Sequence, residues 1–209
     1  MVDWITLLTF VPAALALILT PGADMMFCLG QGVRSGGRAA VAASAGVSAG
    51  SMVHVLIAGL GLGAVIASMP WMLDAIRWLG VAYLLWLARA SLRAGPLNAR
   101  GTGKGAAGLA QSFREGALVN LSNPKVILFV LAFLPQFIDP ARGSVLGQFM
   151  ILGMVIALGG FVINGAVGLG AGGLGSRLAA SRGFARGLGY ASATIFTALA
   201  LRLALVQRG

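Results

Sequence analysis

Thr20-Pro21-Gly22-Ala23-Asp24 interrupts one of the longest apolar runs in the chain, and between Trp4 and Val33 the only charged side chain is Asp24. Pro21 has no N–H and its ring clashes with the carbonyl four residues back, while Gly22 tolerates backbone conformations that other residues avoid. Together they predict a broken helix with freed backbone groups. At membrane depth such a break is tolerated only against protein or a water-filled cavity, and an acid placed there is costly enough to mark a functional site. A counterpart lies further along. Asn123-Pro124-Lys125 is a second prolyl break, with one ion of opposite sign, inside the otherwise uncharged run 116–138.

Composition fixes the class around these breaks. Of 209 residues, 58% are hydrophobic and 10% charged, and the mean hydropathy of +0.93 is that of an integral membrane protein. The formal charge of +10 does not point to nucleic acid, because the basic residues lie between apolar runs and not along one helix face with interleaved aromatics. Cys28 is the single cysteine, so neither a disulfide framework nor a cysteine metal cluster is expected. The amino-terminal run reads as a spanning helix and not a cleaved signal: no Lys or Arg precedes it, and it outlasts a signal core.

The uncharged runs are 4–33, 39–69, a shorter one at 78–88, then 116–138, 143–176 and 187–201. A hydrocarbon core about 30 Å thick takes about 20 apolar residues as a helix, so the fold class is an all-α membrane protein of about six transmembrane helices. Basic residues cluster between runs one and two (Arg34, Arg38), three and four (Arg89, Arg93, Arg100, Lys104, Arg114), and five and six (Arg177, Arg182, Arg186). The opposite side holds Arg77, Arg142 and Arg208, with Arg202 near the last helix end, so the rich loops are expected in the cytoplasm and both termini outside. The chain 1–209 is read as one transmembrane domain, with half-repeats at about 1–94 and 113–209 and a Gly/Pro-bearing linker at about 95–112. Three helices per half require the second half to be inverted if both share a fold, and each half opens with a proline break, as expected for inverted repeats meeting at a central site.

Thr20-Pro21-Gly22-Ala23-Asp24-Met25, a Gly/Ala-rich second helix with Gly46, Gly50, His54 and Gly59, and Asn123-Pro124-Lys125 followed by Phe133-Leu134-Pro135-Gln136-Phe137 resemble the LysE/RhtB family of amino-acid exporters. The resemblance covers nearly the whole chain; one departure is Ala23, where the family usually has the second proline of Pro-Gly-Pro. It implies efflux of amino acids or related metabolites across the cytoplasmic membrane, coupled to the proton gradient.

Read from the residues themselves, a midplane pocket with Lys125, Asp24 and freed backbone groups could satisfy both ends of a zwitterion, and Asp24 could take a proton. The bland reading is a pair locking two helices, or a lysine snorkelling to an interface. Pro21, Gly22, Asn123 and Pro124 belong to the same candidate site. His54 is either a packing histidine or a proton relay; Asn120 and Asn164 read as interhelical hydrogen-bonding residues. The pairs Gly32/Gly36, Gly46/Gly50 and Gly59/Gly63 match small-residue helix packing, and Gly168 to Gly173, although it fits a dinucleotide fingerprint, lacks a βαβ context and reads as an irregular helix end.

The Gly-x-Ser-x-Gly string at Gly46–Gly50 lies inside a long apolar helical run and not on a strand-to-helix elbow, and no dithiol or ATP-binding loop is present, which disfavours a membrane enzyme and direct ATP drive. With few carboxylates and one histidine, a metal-ion exporter is the weaker alternative. No cofactor and no metal are expected. The partners expected are an amino-acid substrate, the lipid bilayer and, as an assembly to test, a second copy of the chain; nucleic acid is not among them.

Overall fold

The computed structural model describes residues 2–68, 72–93, 108–172 and 181–205, and these are helical apart from short connections. Helix α1 (Trp4–Leu19) starts on Asp3, whose carboxylate accepts from Thr6 N at 2.8 Å, and α2 (Ala23–Ser35) comes after Thr20-Pro21-Gly22. Pro12 also lies inside α1 without ending it. The neighbouring residues make the difference: Pro12 precedes Ala-Ala-Leu-Ala, all strong helix formers, whereas Pro21 precedes glycine. Thr20, forced out of the helical region by the proline after it, has ψ 116°. Gly36, at φ +84°, makes the turn from α2 into the long α3 (Gly37–Ser68).

Helix α4 (Met72–Arg93) follows. Beyond it come α5 (Leu109–Leu121), a break at Ser122-Asn123, α6 (Pro124–Leu128), then α7 (Val145–Leu169) and α8 (Arg182–Leu205). α6 runs on through a π-helical stretch at Phe129–Phe133 and a 3-10 turn at Leu134–Phe137. Both broken pairs, α1 with α2 and α5 with the helix from Pro124 to Phe137, bend by 53°.

Three unbroken helices, α3, α7 and α8, are long and apolar enough to cross a membrane, and the count is five if each bent pair is one broken span. That makes up to five spans where about six were expected: α4 is longer than the run 78–88, but it takes in Asp74, Arg89 and Arg93 and is not among the helices apolar enough to count. Residues 109–112, placed in the linker from sequence, are the first turn of α5, and 94–107 lie outside the described residues. The expected irregular end of the fifth run is a 3-10 turn at Gly170–Gly172; Gly173 lies outside the described residues.

α3 is the central post, with α5 on one side and α7 on the other. The contact with α5 is made of glycine: a Cβ at Gly46 would run into the Phe113 carbonyl, and one at Gly116 into the Ala43 carbonyl. That close approach is what small-residue spacing gives when lipid supplies no hydrophobic drive between helices. Towards α7, Ser44 and Ser48 donate to the Phe161 and Ala157 carbonyls at 2.8 and 2.9 Å. α4 packs on α8, and the core of Phe10, Leu17, Leu84, Phe129, Phe133, Phe149 and Phe196 fills the space between the posts. Leu8, Ile57, Leu60, Leu118 and Val162 are exposed, an apolar belt suited to lipid.

The two ends differ in charge. Arg34 at the end of α2 lies 3.8 Å from Glu115 in the middle of α5, and buried Gln31 donates to the same carboxylate at 3.0 Å. At the opposite end Arg142 pairs with Asp3 and, at 2.9 Å, with Asp139. The Thr6 hydrogen bonds and Arg142 hold the Asp3 carboxyl down at about 2, so this brace stays ionised through the physiological range.

Candidate functional site

The two prolyl breaks face each other. Asn123 caps α6, its Oδ1 accepting from Lys125 N at 3.1 Å, and Pro124 occupies the first helical position, where its missing N–H costs nothing. This aims the Lys125 side chain back across the bundle at the other break. Its Nζ donates to the carbonyls of Leu17, at 2.9 Å, and Thr20, at 2.8 Å. The Leu17 carbonyl would ordinarily take the N–H of residue 21, which is proline; the Lys125 ammonium stands in for that missing donor at a helix end that favours positive charge. Gly22 makes room, since a Cβ there would stand 3.2 Å from Nζ. Tyr83 of α4 donates to the Lys125 carbonyl at 2.6 Å.

Asp24 lies in the first turn of α2, where the helix dipole favours a carboxylate, and is 8% exposed. It does not pair with Lys125 directly: no contact within 4 Å joins their charged atoms among the described residues, so direct pairing gives way to separate partners. Asp24 Oδ2 accepts from Asn120 Nδ2 at 2.9 Å. Asn120 in turn is held by Ser51, whose hydroxyl reaches its Oδ1 at 3.3 Å, and its carbonyl lies 3.3 Å from His54 Nε2. His54 therefore reaches Asp24 only through Asn120, and is placed as a support for the end of α5.

Asp24 and Lys125 line one small cavity of about 20 Å³, together with Ser48, Ser51 and Asn164. Asp24 Oδ1 and Asn164 Oδ1 are buried with no hydrogen-bond partner among the described residues, and so is Asn123 Nδ2 on the neighbouring break. Sequence reasoning missed Asn120, Asn164, Ser48, Ser51 and Tyr83 as parts of this cluster; a polar side chain in an otherwise apolar run was the only signal for the two asparagines.

A larger cavity, about 290 Å³, opens at the Asp3–Arg142 end between the start of α1, Phe133–Arg142 and the last turns of α8. Four rings in tilted and edge-on contact lie between it and Lys125: Phe129, one turn beyond the lysine, then Phe133 (4.8 Å) and Phe137 (5.0 Å), with Phe10 at 5.1 Å from Phe137. The bundle is thus closed between its central cluster and this opening.

An all-helical bundle with an apolar belt and two bent spans that hold an acid and a base at its centre is an integral membrane translocator. A family model described as LysE type translocator matches residues 15–207, and the chain belongs to that family. It is 34% identical to the homoserine/homoserine lactone efflux protein of Salmonella typhimurium over 66% of each chain. It is 32% identical to the leucine efflux protein of an Enterobacter species over 74% of each chain. An uncharacterized membrane protein of Vibrio cholerae is 35% identical over 70% of this chain and 71% of its own. No solved structure matches.

Proposed function

We propose that the protein is a secondary exporter of amino acids across the cytoplasmic membrane, exchanging substrate for protons at Asp24. Membership of the translocator family carries the transport reading. The efflux relatives named above act on homoserine, homoserine lactone and leucine. These share an amine beside a carbonyl; the lactone has no free carboxylate. The shared group therefore selects an acceptor site, and Asp24, with one oxygen uncommitted, is the acidic group at the crossing of the breaks. One carboxylate that binds either a proton or the substrate amine, never both, couples the two flows. Lys125, Asn123, Pro21, Gly22 and Pro124 shape this site and offer the carboxylate end its donors; His54 supports it through Asn120. Neither an enzyme nor a metal-ion exporter is named among these relatives.

The test is export from cells that lack their own amino-acid exporters and are fed dipeptides of leucine and of homoserine. The protein should raise the external concentration of at least one of these amino acids severalfold; an unchanged profile across a full dipeptide panel sinks the reading.

The two halves are proposed as inverted repeats, on the matching 53° bends and the pairing of α3 with α7 and α4 with α8. The orientation rests on the basic end: Arg34, Arg93, Arg114 and Arg182 in the cytoplasm, Asp3, Asp139 and Arg142 outside. A reporter fused after Arg93 should read as cytoplasmic and one after Leu205 as external. A cytoplasmic signal from the second fusion contradicts this arrangement.

A further inference from the structure

We infer that the cavity at the Asp3–Arg142 end is a second binding site, which takes the carboxylate of an apolar amino acid on Arg202 once it has left the central cluster. This rests on the exporter reading above and on its orientation, and adds a site that the two prolyl breaks do not contain. The cavity, about 290 Å³, lies at the lower edge of the range of about 300–1,000 Å³ usual for small-molecule sites. Two cations line it, and they are not equivalent. Arg142 is held by Asp3 and Asp139. Arg202, in the last turn of α8, has no ion pair or hydrogen bond among the described residues. Its guanidinium keeps all its donors, in the planar fork that a carboxylate takes bidentately. An arginine that only snorkels to the interface, or settles the carbonyl end of α8, needs no cavity beside it.

The rest of the lining narrows the ligand. Ile5, Phe133, Phe137, Leu199 and Leu203 form an apolar wall that suits a hydrocarbon side chain. Asp139 is the one acid among the lining residues. Its oxygens accept from the Ala141 N–H and from Arg142 Nε, at 2.9 Å each, and a carboxylate has lone pairs beyond those two. An uncommitted cation, an acid and an apolar wall together complement a zwitterion with an apolar side chain. A fatty acid or a phosphate headgroup would leave the acid unanswered. The place in the fold suits an amino acid on its way out: the rings of Phe129, Phe133, Phe137 and Phe10 lie between this cavity and Lys125, and Phe133 and Phe137 belong to its wall.

The experiment is calorimetric titration of the purified full chain in phosphatidylcholine nanodiscs, in an Asp24→Asn background that removes the central acid. L-Leucine is the probe, set against L-leucinamide, which lacks the carboxylate, and 4-methylpentanoate, which lacks the amine. The Asp24→Asn protein should bind leucine, and either analogue about tenfold more weakly or worse, the scale of one hydrogen bond to a charged group. Adding Arg202→Gln should weaken leucine about tenfold and leave leucinamide as it was, a pattern that misfolding does not produce; Arg202→Lys should recover part of the loss. An Asp24→Asn protein that binds no leucine overturns the inference, as does an Arg202→Gln protein with unchanged leucine affinity. So does 4-methylpentanoate bound as tightly as leucine. Leucine displaced by phosphatidylglycerol added to the nanodiscs also overturns it, by assigning Arg202 to a lipid headgroup. Binding is read without transport, so the two readings fail separately: export in the dipeptide assay without Arg202-dependent binding sinks this site alone, and Arg202-dependent binding without export keeps the site and sinks the exporter reading.

Discussion

Lys125→Met is expected to lower export by about 100-fold and to destabilise the protein as well, because the same ammonium serves the site and braces α1. Methionine keeps the apolar stem and loses every donor. The Leu17 and Thr20 carbonyls are then left without the ammonium that holds them at 2.9 and 2.8 Å. Two hydrogen bonds from a charged donor contribute about 3 kcal/mol at the low end, and Asp24 loses the cation that faces it across the cavity. Thermal unfolding in detergent measures the first effect, and dipeptide-fed export, normalised to inserted protein, measures the second. Lys125→Arg separates them: the guanidinium can still reach the carbonyls, but its larger head meets Gly22, which already lies close to Nζ. That variant should regain stability more fully than export. An inserted Lys125→Met protein that exports normally would leave Lys125 as a brace alone.

The double duty of Lys125 arises from how the breaks are built. A proline in a spanning helix orphans a carbonyl, and lipid offers no donor to repair it. Here the repair comes from the first turn after the other break. The two breaks are therefore joined, and a movement of α6 that withdraws Lys125 would free α1 at Leu17 while opening the cavity beside Asp24. The π-helical stretch at Phe129–Phe133 lies directly beyond, and carries two rings of the aromatic cluster between Lys125 and the larger cavity. Such stretches bond one residue further along the chain than an α-helix does, and occur frequently at functional sites.

Much of this architecture was legible in the sequence because prolines, glycines and charges act locally. Pro21 with Gly22, and Asn123 with Pro124, break their helices by their own chemistry, and the glycine pattern at Gly46 and Gly50 gave the close side of α3. The limits of α4 were less legible: Asp74, Arg89 and Arg93 interrupt the hydropathy signal at both ends, yet the helix continues through them. Helix periodicity gave no help, since a bundle surrounded by lipid has no polar face to mark. The partners of Asp24 were out of reach for a different reason. Asn120, which holds the carboxylate, Ser51, which holds Asn120, and Asn164, which lines the same cavity, come from three helices, and only packing brings them together. Sequence placed Asp24 and Lys125 opposite each other; it could not say that each would turn to a different partner.

Asp24→Asn is the change expected to have the largest effect on transport with the smallest effect on the fold. The new amide is nearly the shape of the carboxylate. Its oxygen can accept from Asn120 Nδ2, as Asp24 Oδ2 does at 2.9 Å, and its NH2 can turn to the unpartnered Asn164 Oδ1 across the cavity. Insertion and thermal stability should therefore stay close to wild type. Transport should not. The amide takes no proton in the working range and offers no charge to an ammonium, and removing one member of a buried charged contact costs at least about 2 kcal/mol, with more where the partner is left desolvated. Gradient-driven export should fall on the order of 100-fold or more, and substrate exchange across the membrane without a gradient should fall with it, because one carboxylate serves both ligands. The comparison is made in proteoliposomes with labelled amino acid, with and without an imposed pH difference. If exchange survives while uphill export disappears, Asp24 carries the proton alone and the amine is bound elsewhere. If both proceed at the wild-type rate in inserted protein, the acid at the first break takes no part in transport, and the coupling proposed for it is wrong.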